Sequence, residues 1–196
     1  MTESEFLFAF NQPWQVAKET IEPFPTANTP AAVLICLNPT NSLDVLFTTR
    51  AKHLKHHAGQ ISFPGGKLED RDLHLIDTAQ REAYEEIGLD KRLLRTIGKM
   101  PTYRTVSGFA ITPIISTLSS PICIENDLSI DPNEVEDIFS VPLAYLMDKT
   151  NYFVHRVQRG RVQFPIYFIP YQNRTIWGAT AGILAQLQAH INGAYT

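Results

Sequence analysis

"GQISFPGGKLEDRDLHLIDTAQREAYEEIGL", residues 59–89, is the stretch whose reading decides the fold. Gly65 and Gly66 follow Pro64, and a helical pattern then runs from about Leu73 to Ile87. Gly88 stops it, because glycine accepts the left-handed backbone that closes a helix. At about 100° per residue, Arg81, Glu85, Glu82 and Glu86 share one arc of about 140°. Ile76, Ala79, Ala83 and Ile87 fall just beyond that arc as an apolar stripe, so the carboxylates border the packed face. A solvated helix face with one Arg81–Glu85 ion pair would tolerate this pattern. Three clustered glutamates nevertheless repel one another, and one arginine does not neutralise them. A hard divalent cation does: Mg2+ or Mn2+ takes oxygen ligands and prefers one or two carboxylates plus waters and substrate phosphates. The two glycines ahead of the helix let backbone approach a ligand closely.

Outward from this stretch the chain alternates strands and helices. "AAVLICL" (31–37) and "DVLFTTR" (44–50) flank the turn "NPTNS", a hairpin signal, and "GQISF" is a third short strand. "LLRTIGKM" (93–100) and "GFAITPIIST" (108–117) read as strands. "NEVEDIFSVPLAYLMD" (133–148) reads as a strand entering a short helix, with Pro142 in its first turn. "YFVHRVQRGRVQFPIYFIP" (152–170) is a second hairpin, and "WGATAGILAQLQAHI" (177–191) a terminal helix with Ile183, Leu184 and Leu187 as its stripe. Residues 1–22 carry Phe6, Phe10, Trp14 and Ala17 at helical spacing, interrupted by Pro13, and "EPFPTANTP" (22–30) is a rigid connector. The expected organisation is a leader and Pro-rich connector over 1–30 and a single domain over 31–196. The expected class is α+β, with helices on both faces of a mixed sheet.

The formal net charge of -3 gives no global attraction to nucleic acid or to an acidic membrane, so any anion site must be built locally. No apolar run approaches the ~20 residues of a spanning helix. The N-terminus lacks a basic n-region, which points to a cytoplasmic protein. Cys36 and Cys123 both have apolar neighbours and read as reduced core or near-core residues. Homodimerisation is left open. Local cations do exist: "RAKHLKHH" (50–57) supplies Arg50, Lys52, His53, Lys55, His56 and His57 directly before the glycines, and "PTYRTVSG" supplies Arg104. These are the candidate phosphate contacts.

Gly66, Arg81-Glu82, Glu85-Glu86 and Gly88-Leu89 together resemble the Nudix box. The resemblance implies an α/β/α sandwich and a hydrolase that cleaves a nucleoside diphosphate linked to another moiety, using Mg2+ or Mn2+. The glycine loop is one residue longer than the family pattern. Asp72 stands where that pattern has a glutamate, with Glu69 as its rival. Upstream, "TTRAKHLKHHAGQISFPGG" (48–66) is similar to the signature of the coenzyme A diphosphatase branch, matching at Thr48, Arg50, Leu54, His57, Gly59, Gln60, Phe63, Pro64, Gly65 and Gly66. Lys55 stands where that branch has arginine, which keeps the charge and loses the bidentate fork. "SGFAITPII", "NEVEDIFSVPL" and "WGATAGIL" are also similar to it. The resemblance implies coenzyme A or an acyl derivative as substrate, with 4'-phosphopantetheine and adenosine 3',5'-bisphosphate as products. It implies Glu82, Glu85 and Glu86 as metal ligands with the Gly66 carbonyl, and Arg81 as the residue that orients them. The substrate contacts would be Arg50, Lys55, His57, Gly65, Gly66 and Arg104. The general base would be Glu85, Glu134 or Glu136. The alternatives are a Nudix enzyme for ADP-ribose, a dinucleotide or a modified nucleoside triphosphate, and a nucleotide-sensing module that binds without cleaving. Retention of all three glutamates argues against the last.

Overall fold

The computed structural model describes residues 1–14, 27–40, 43–160 and 162–193. Ala17 of the expected leader helix and residues 22–26 of the connector lie outside the described residues. The strands are β1 (Thr29–Pro39), β2 (Leu43–Arg50), β3 (Ile61–Ser62), β4 (Gly65–Lys67), β5 (Leu94–Lys99), β6 (Tyr103–Arg104), β7 (Phe109–Leu118), β8 (Val135–Pro142), β9 (Phe153–Arg159), β10 (Val162–Tyr171) and β11 (Arg174–Trp177). The helices are α1 (Glu3–Phe10), α2 (Leu75–Ile87), α3 (Ile124–Asp127), α4 (Leu143–Met147) and α5 (Ala179–Gly193).

β1 is the axis of the main sheet. Its residues are almost continuously apolar, as a strand covered on both faces must be. β7 runs parallel to it from Thr29↔Phe109 to Leu37↔Thr117. β2 closes the expected hairpin at Leu37↔Val45. The strand order is β3-β2-β1-β7-β5, with β4 on β1, β6 on β7 and β8 on β2, and these other pairings are antiparallel. A second, antiparallel sheet is ordered β11-β10-β9.

Side-chain alternation along β1 divides the core in two. Ala32, Leu34 and Cys36 face α2, which packs Ala79, Ala83 and Ile87 there with Leu46 and Ile114. Ile35 and Leu37 face the other way, onto Phe6 and Phe10 of α1, Leu143 and Leu146 of α4, and Ile183, Leu184 and Leu187 of α5. The result is an α/β/α sandwich of the α+β class, as expected. Each of these fully buried leucines and isoleucines contributes roughly 1.5–3 kcal/mol of transfer free energy.

Several local readings are corrected. The leader helix ends at Phe10, because Pro13 has no N–H to donate and its ring would clash with the carbonyl four residues earlier. Ile76 is 37% exposed and Leu75 packs in its place at the start of α2. Cys36 is buried, and burial pushes its thiol up to about 12, whereas Cys123 is exposed at the entrance to α3. Trp177 ends a strand, and α5 begins only after the left-handed Gly178. Among the described residues no helix is long and apolar enough to cross a membrane.

Candidate active site

The glycine pair is a strand rather than a loop. β4 lies against β1 at Val33↔Gly65 and Ala32↔Gly66. A Cβ on Gly65 would lie 2.4 Å from the Ala32 carbonyl oxygen, and one on Gly66 would lie 2.3 Å from Glu82 Oε1. Gly65 is therefore required by close strand approach, and Gly66 because the Glu82 carboxylate occupies the place of its side chain. Gly66→Ala is expected to lower kcat at least tenfold by displacing Glu82, and to destabilise the fold by about 1–3 kcal/mol as overpacking does. Steady-state kinetics and a thermal melt on the same preparation separate the two effects.

α2 supplies the charged groups. Its C-terminus is closed by Gly88 at φ 68, as the sequence suggests. Arg81 is nearly buried and gathers the surrounding acids. Its Nε and Nη2 donate to the two oxygens of Asp72, at 2.9 Å each. Its Nη1 donates to Glu82 Oε1 at 2.9 Å and Glu85 Oε2 at 2.8 Å, and Nη2 also reaches the Lys67 carbonyl. Asp72 is 3% exposed and further accepts the Glu69 N–H and the Thr78 hydroxyl. The Arg81 guanidinium holds its carboxyl well below the usual range. Glu69 is half exposed, takes Arg71 Nε at 2.8 Å, and lies 3.8 Å from Arg81. Of the two rivals in the loop, Asp72 is thus the one paired with Arg81. Arg71 also donates to Glu85 Oε1 at 2.9 Å.

Glu86 is different. It is 2% exposed, and its Oε2 has no hydrogen-bond partner among the described residues. Burial raises its pKa to about 8; Glu82 and Glu134 push the same way, while Arg50 and the Gly65 backbone amide oppose. Burial also raises the Glu82 carboxyl against the pull of Arg81, with Glu85 and Glu134 adding to the rise. A buried carboxylate oxygen without a donor is costly, and a cation beside it would remove that cost. Among the described residues no three histidine, cysteine or acidic side chains converge closely enough to hold a metal alone. A hard cation that keeps waters and takes phosphate oxygens needs only one or two carboxylates. Glu82 and Glu86, against the Gly65–Gly66 backbone, fit that requirement.

The rest of the expected site divides. The turn before β8 is stitched to the end of α2 by Asp131 N–H on the Glu86 carbonyl, and to β2 by Ala51 N–H on the Glu134 carbonyl. Glu134 is near enough for its charge to push up both Glu82 and Glu86. Glu136 instead pairs with Lys52. His53 Nε2 sits 3.1 Å from the Asn133 carbonyl oxygen. Arg50 N–H bonds the Gln60 carbonyl and Gly59 N–H the Arg50 carbonyl, so the loop 51–58 is tied at its base. Lys55 and His57 lie exposed on it, with His57 at φ 58 and its Nδ1 2.7 Å from Gln60 Oε1. Arg104 is engaged elsewhere: its Nη1 donates to the Ala27 carbonyl and to Asn28 Oδ1. Sequence reasoning missed Arg71, and no local pattern marks it.

Residues 27–158 match the family model of the NUDIX domain. The uncharacterized Nudix hydrolase NudL of Yersinia enterocolitica is 33% identical over 191 residues, covering 97% of this chain and 94% of its own. NudL of Yersinia pestis (strain Pestoides F) is 34% identical over 169 residues, 86% of this chain and 83% of its own. Among solved structures, the chain is similar to the Nudix hydrolase RenU of M. smegmatis, at TM-score 0.49 and 21% identity over 58% of this chain and 70% of that one. It is also similar to an Ap4A hydrolase of C. elegans, at TM-score 0.49 and 16% identity over 59% and 81%.

Proposed function

This chain belongs to the Nudix hydrolase family, whose members use divalent metal ions to cleave phosphoric anhydride bonds, and on that premise we propose that its substrate is coenzyme A or an acyl derivative. The products are 4'-phosphopantetheine, or its acyl form, and adenosine 3',5'-bisphosphate. The observation that carries this reading is the position of Arg50. It ends β2 close enough for its charge to act on Glu86, and it opens the basic segment 50–57. Coenzyme A bears a pyrophosphate and a 3'-phosphate, and a chain of net charge -3 needs local cations to hold them. The upstream signature lies on this same segment.

When bound at Glu82 and Glu86, Mg2+ or Mn2+ offsets charge on the phosphates and lowers the pKa of the attacking water. Arg81 fixes Glu82 and Glu85 through charge-assisted hydrogen bonds. Both oxygens of Glu85 rest on arginines, which favours Glu134 as the general base. Glu134 accepts a proton from water as its oxygen attacks one phosphorus and the other phosphate leaves. Arg50 takes up charge on the departing side, and Lys55 and His57 meet phosphate from the exposed loop. The free thiols of Cys36 and Cys123 suit a reducing cytoplasm.

Incubation with coenzyme A and with its dephospho form, in Mg2+ and then Mn2+, tests this by mass spectrometry of the products. The expected result is 4'-phosphopantetheine from coenzyme A and much less cleavage of the dephospho form. Cleavage of ADP-ribose or a dinucleotide with coenzyme A left intact would overturn the substrate. Tight binding without cleavage across a diphosphate panel would make the chain a sensing module.

A further inference from the structure

We propose that Arg71 is a positioning residue that holds Glu85 and competes with a divalent cation for that carboxylate. The inference rests on the family's use of a divalent ion and not on the identity of the substrate. Arg71 lies in the long loop between β4 and α2, and its guanidinium spans two acids, with Nε on Glu69 Oε2 at 2.8 Å and Nη2 on Glu85 Oε1 at 2.9 Å. The second oxygen of Glu85 is held by Arg81 Nη1 at 2.8 Å. Glu85 therefore offers a cation no oxygen that is not already on a guanidinium.

The two arginines are not equivalent. Arg81 is 13% exposed and fixed by a bidentate bond to Asp72, whereas Arg71 is 59% exposed and meets solvent-accessible partners. Exposed ion pairs contribute little, and truncating one member of a buried pair costs several times more. An arriving cation thus displaces Arg71 and leaves Arg81 in place. Arg71 keeps Glu85 neutralised and oriented, and its release would free Oε1 for a cation. Its reach across Glu69 and Glu85 depends on the planar fork, which lysine lacks.

Titration of the 196-residue chain with Mn2+, reading free ion by electron paramagnetic resonance, tests this without substrate. Arg71→Ala is expected to tighten Mn2+ binding about two- to fivefold, the factor that loss of an exposed competing pair implies. In a Glu85→Gln background the same substitution is expected to change affinity by much less, because the contested carboxylate is gone. Unchanged or weakened binding in Arg71→Ala would overturn the proposal. So would equal tightening in both backgrounds, which would mark a general charge effect. Because no substrate is present, failure here is distinguishable from failure of the coenzyme A assignment.

Discussion

Glu86→Gln is expected to lower turnover by at least about a thousandfold, the scale on which loss of a charge-stabilising group in an active site acts, while making the metal-free protein more stable at alkaline pH. The substitution keeps the shape of the side chain and removes its charge. Glu86 is almost fully buried, and Oε2 has no donor among the described residues, so ionising it without a metal is opposed by burial and by Glu82. Its folded pKa, raised to about 8, lies above its ordinary value of 4.5. Between those values the unfolded chain ionises the group while the folded chain keeps it protonated. The folded state binds more protons, so its stability falls as pH rises through this window. At about 1.4 kcal/mol per pKa unit, the accumulated penalty reaches several kcal/mol above pH 8. Thermal melts in a chelator from pH 4.5 to 9 should show the variant gaining on its parent throughout that range. Adding Mg2+ or Mn2+ at pH 8 should stabilise the parent and leave the variant nearly unmoved. Near-native turnover in the variant, or a parent that grows more stable across the window relative to it, would remove Glu86 from the metal site.

The carboxylate arc of α2 was legible in the sequence because its cause is local. Helical spacing alone puts Arg81, Glu82, Glu85 and Glu86 together, and Gly88 marks the end. The strands β1 and β2 were legible for the same reason, through continuous β-branched and apolar runs between turn signals. What escaped has tertiary causes. β4 is a strand of Gly65, Gly66 and Lys67, with no alternating side chains to announce it. The need for glycine at 66 comes from Glu82, sixteen positions along the chain, pressing on the strand. Asp72 and Glu69 are chemically alike and three positions apart, and the choice between them is made by Thr78, the Glu69 amide and Arg81 in three dimensions. Glu134 and Glu136 are equally similar on paper. One sits in a turn tied to α2 and the other finds Lys52. Arg104 was a candidate phosphate contact from its position in "PTYRTVSG" alone, and its bonds to the Ala27 carbonyl and Asn28 Oδ1, more than seventy positions away, have no local signal.

Arg81→Ala is expected to cost about 3–5 kcal/mol, the range for removing one member of a buried ion pair, and to abolish turnover as well. Asp72, 3% exposed in the intact fold, would be left with only the Thr78 hydroxyl and one amide to hold it. Glu82 and Glu85 would lose the guanidinium that sets their geometry. In a chain of this size the loss corresponds to a fall in Tm on the order of 10 °C. The two consequences have different origins and can be separated. Replacing the pair together, Arg81→Met with Asp72→Leu, removes the orphaned charge and is expected to recover part of the stability but none of the activity. The pH dependence gives a further check on the sign. The folded-state pKa of Asp72 is depressed below its ordinary 3.8, so its pairing contributes stability above that value and loses it as pH falls through the folded pKa. The gap in stability between parent and Arg81→Ala should therefore be widest near neutrality and narrow below about pH 4. Chemical unfolding at pH 7 and near pH 3 measures both gaps. Equal gaps would assign the loss to packing of the arginine stem rather than to the charge pair, and the picture of Arg81 as the residue that holds the acids in place would fail.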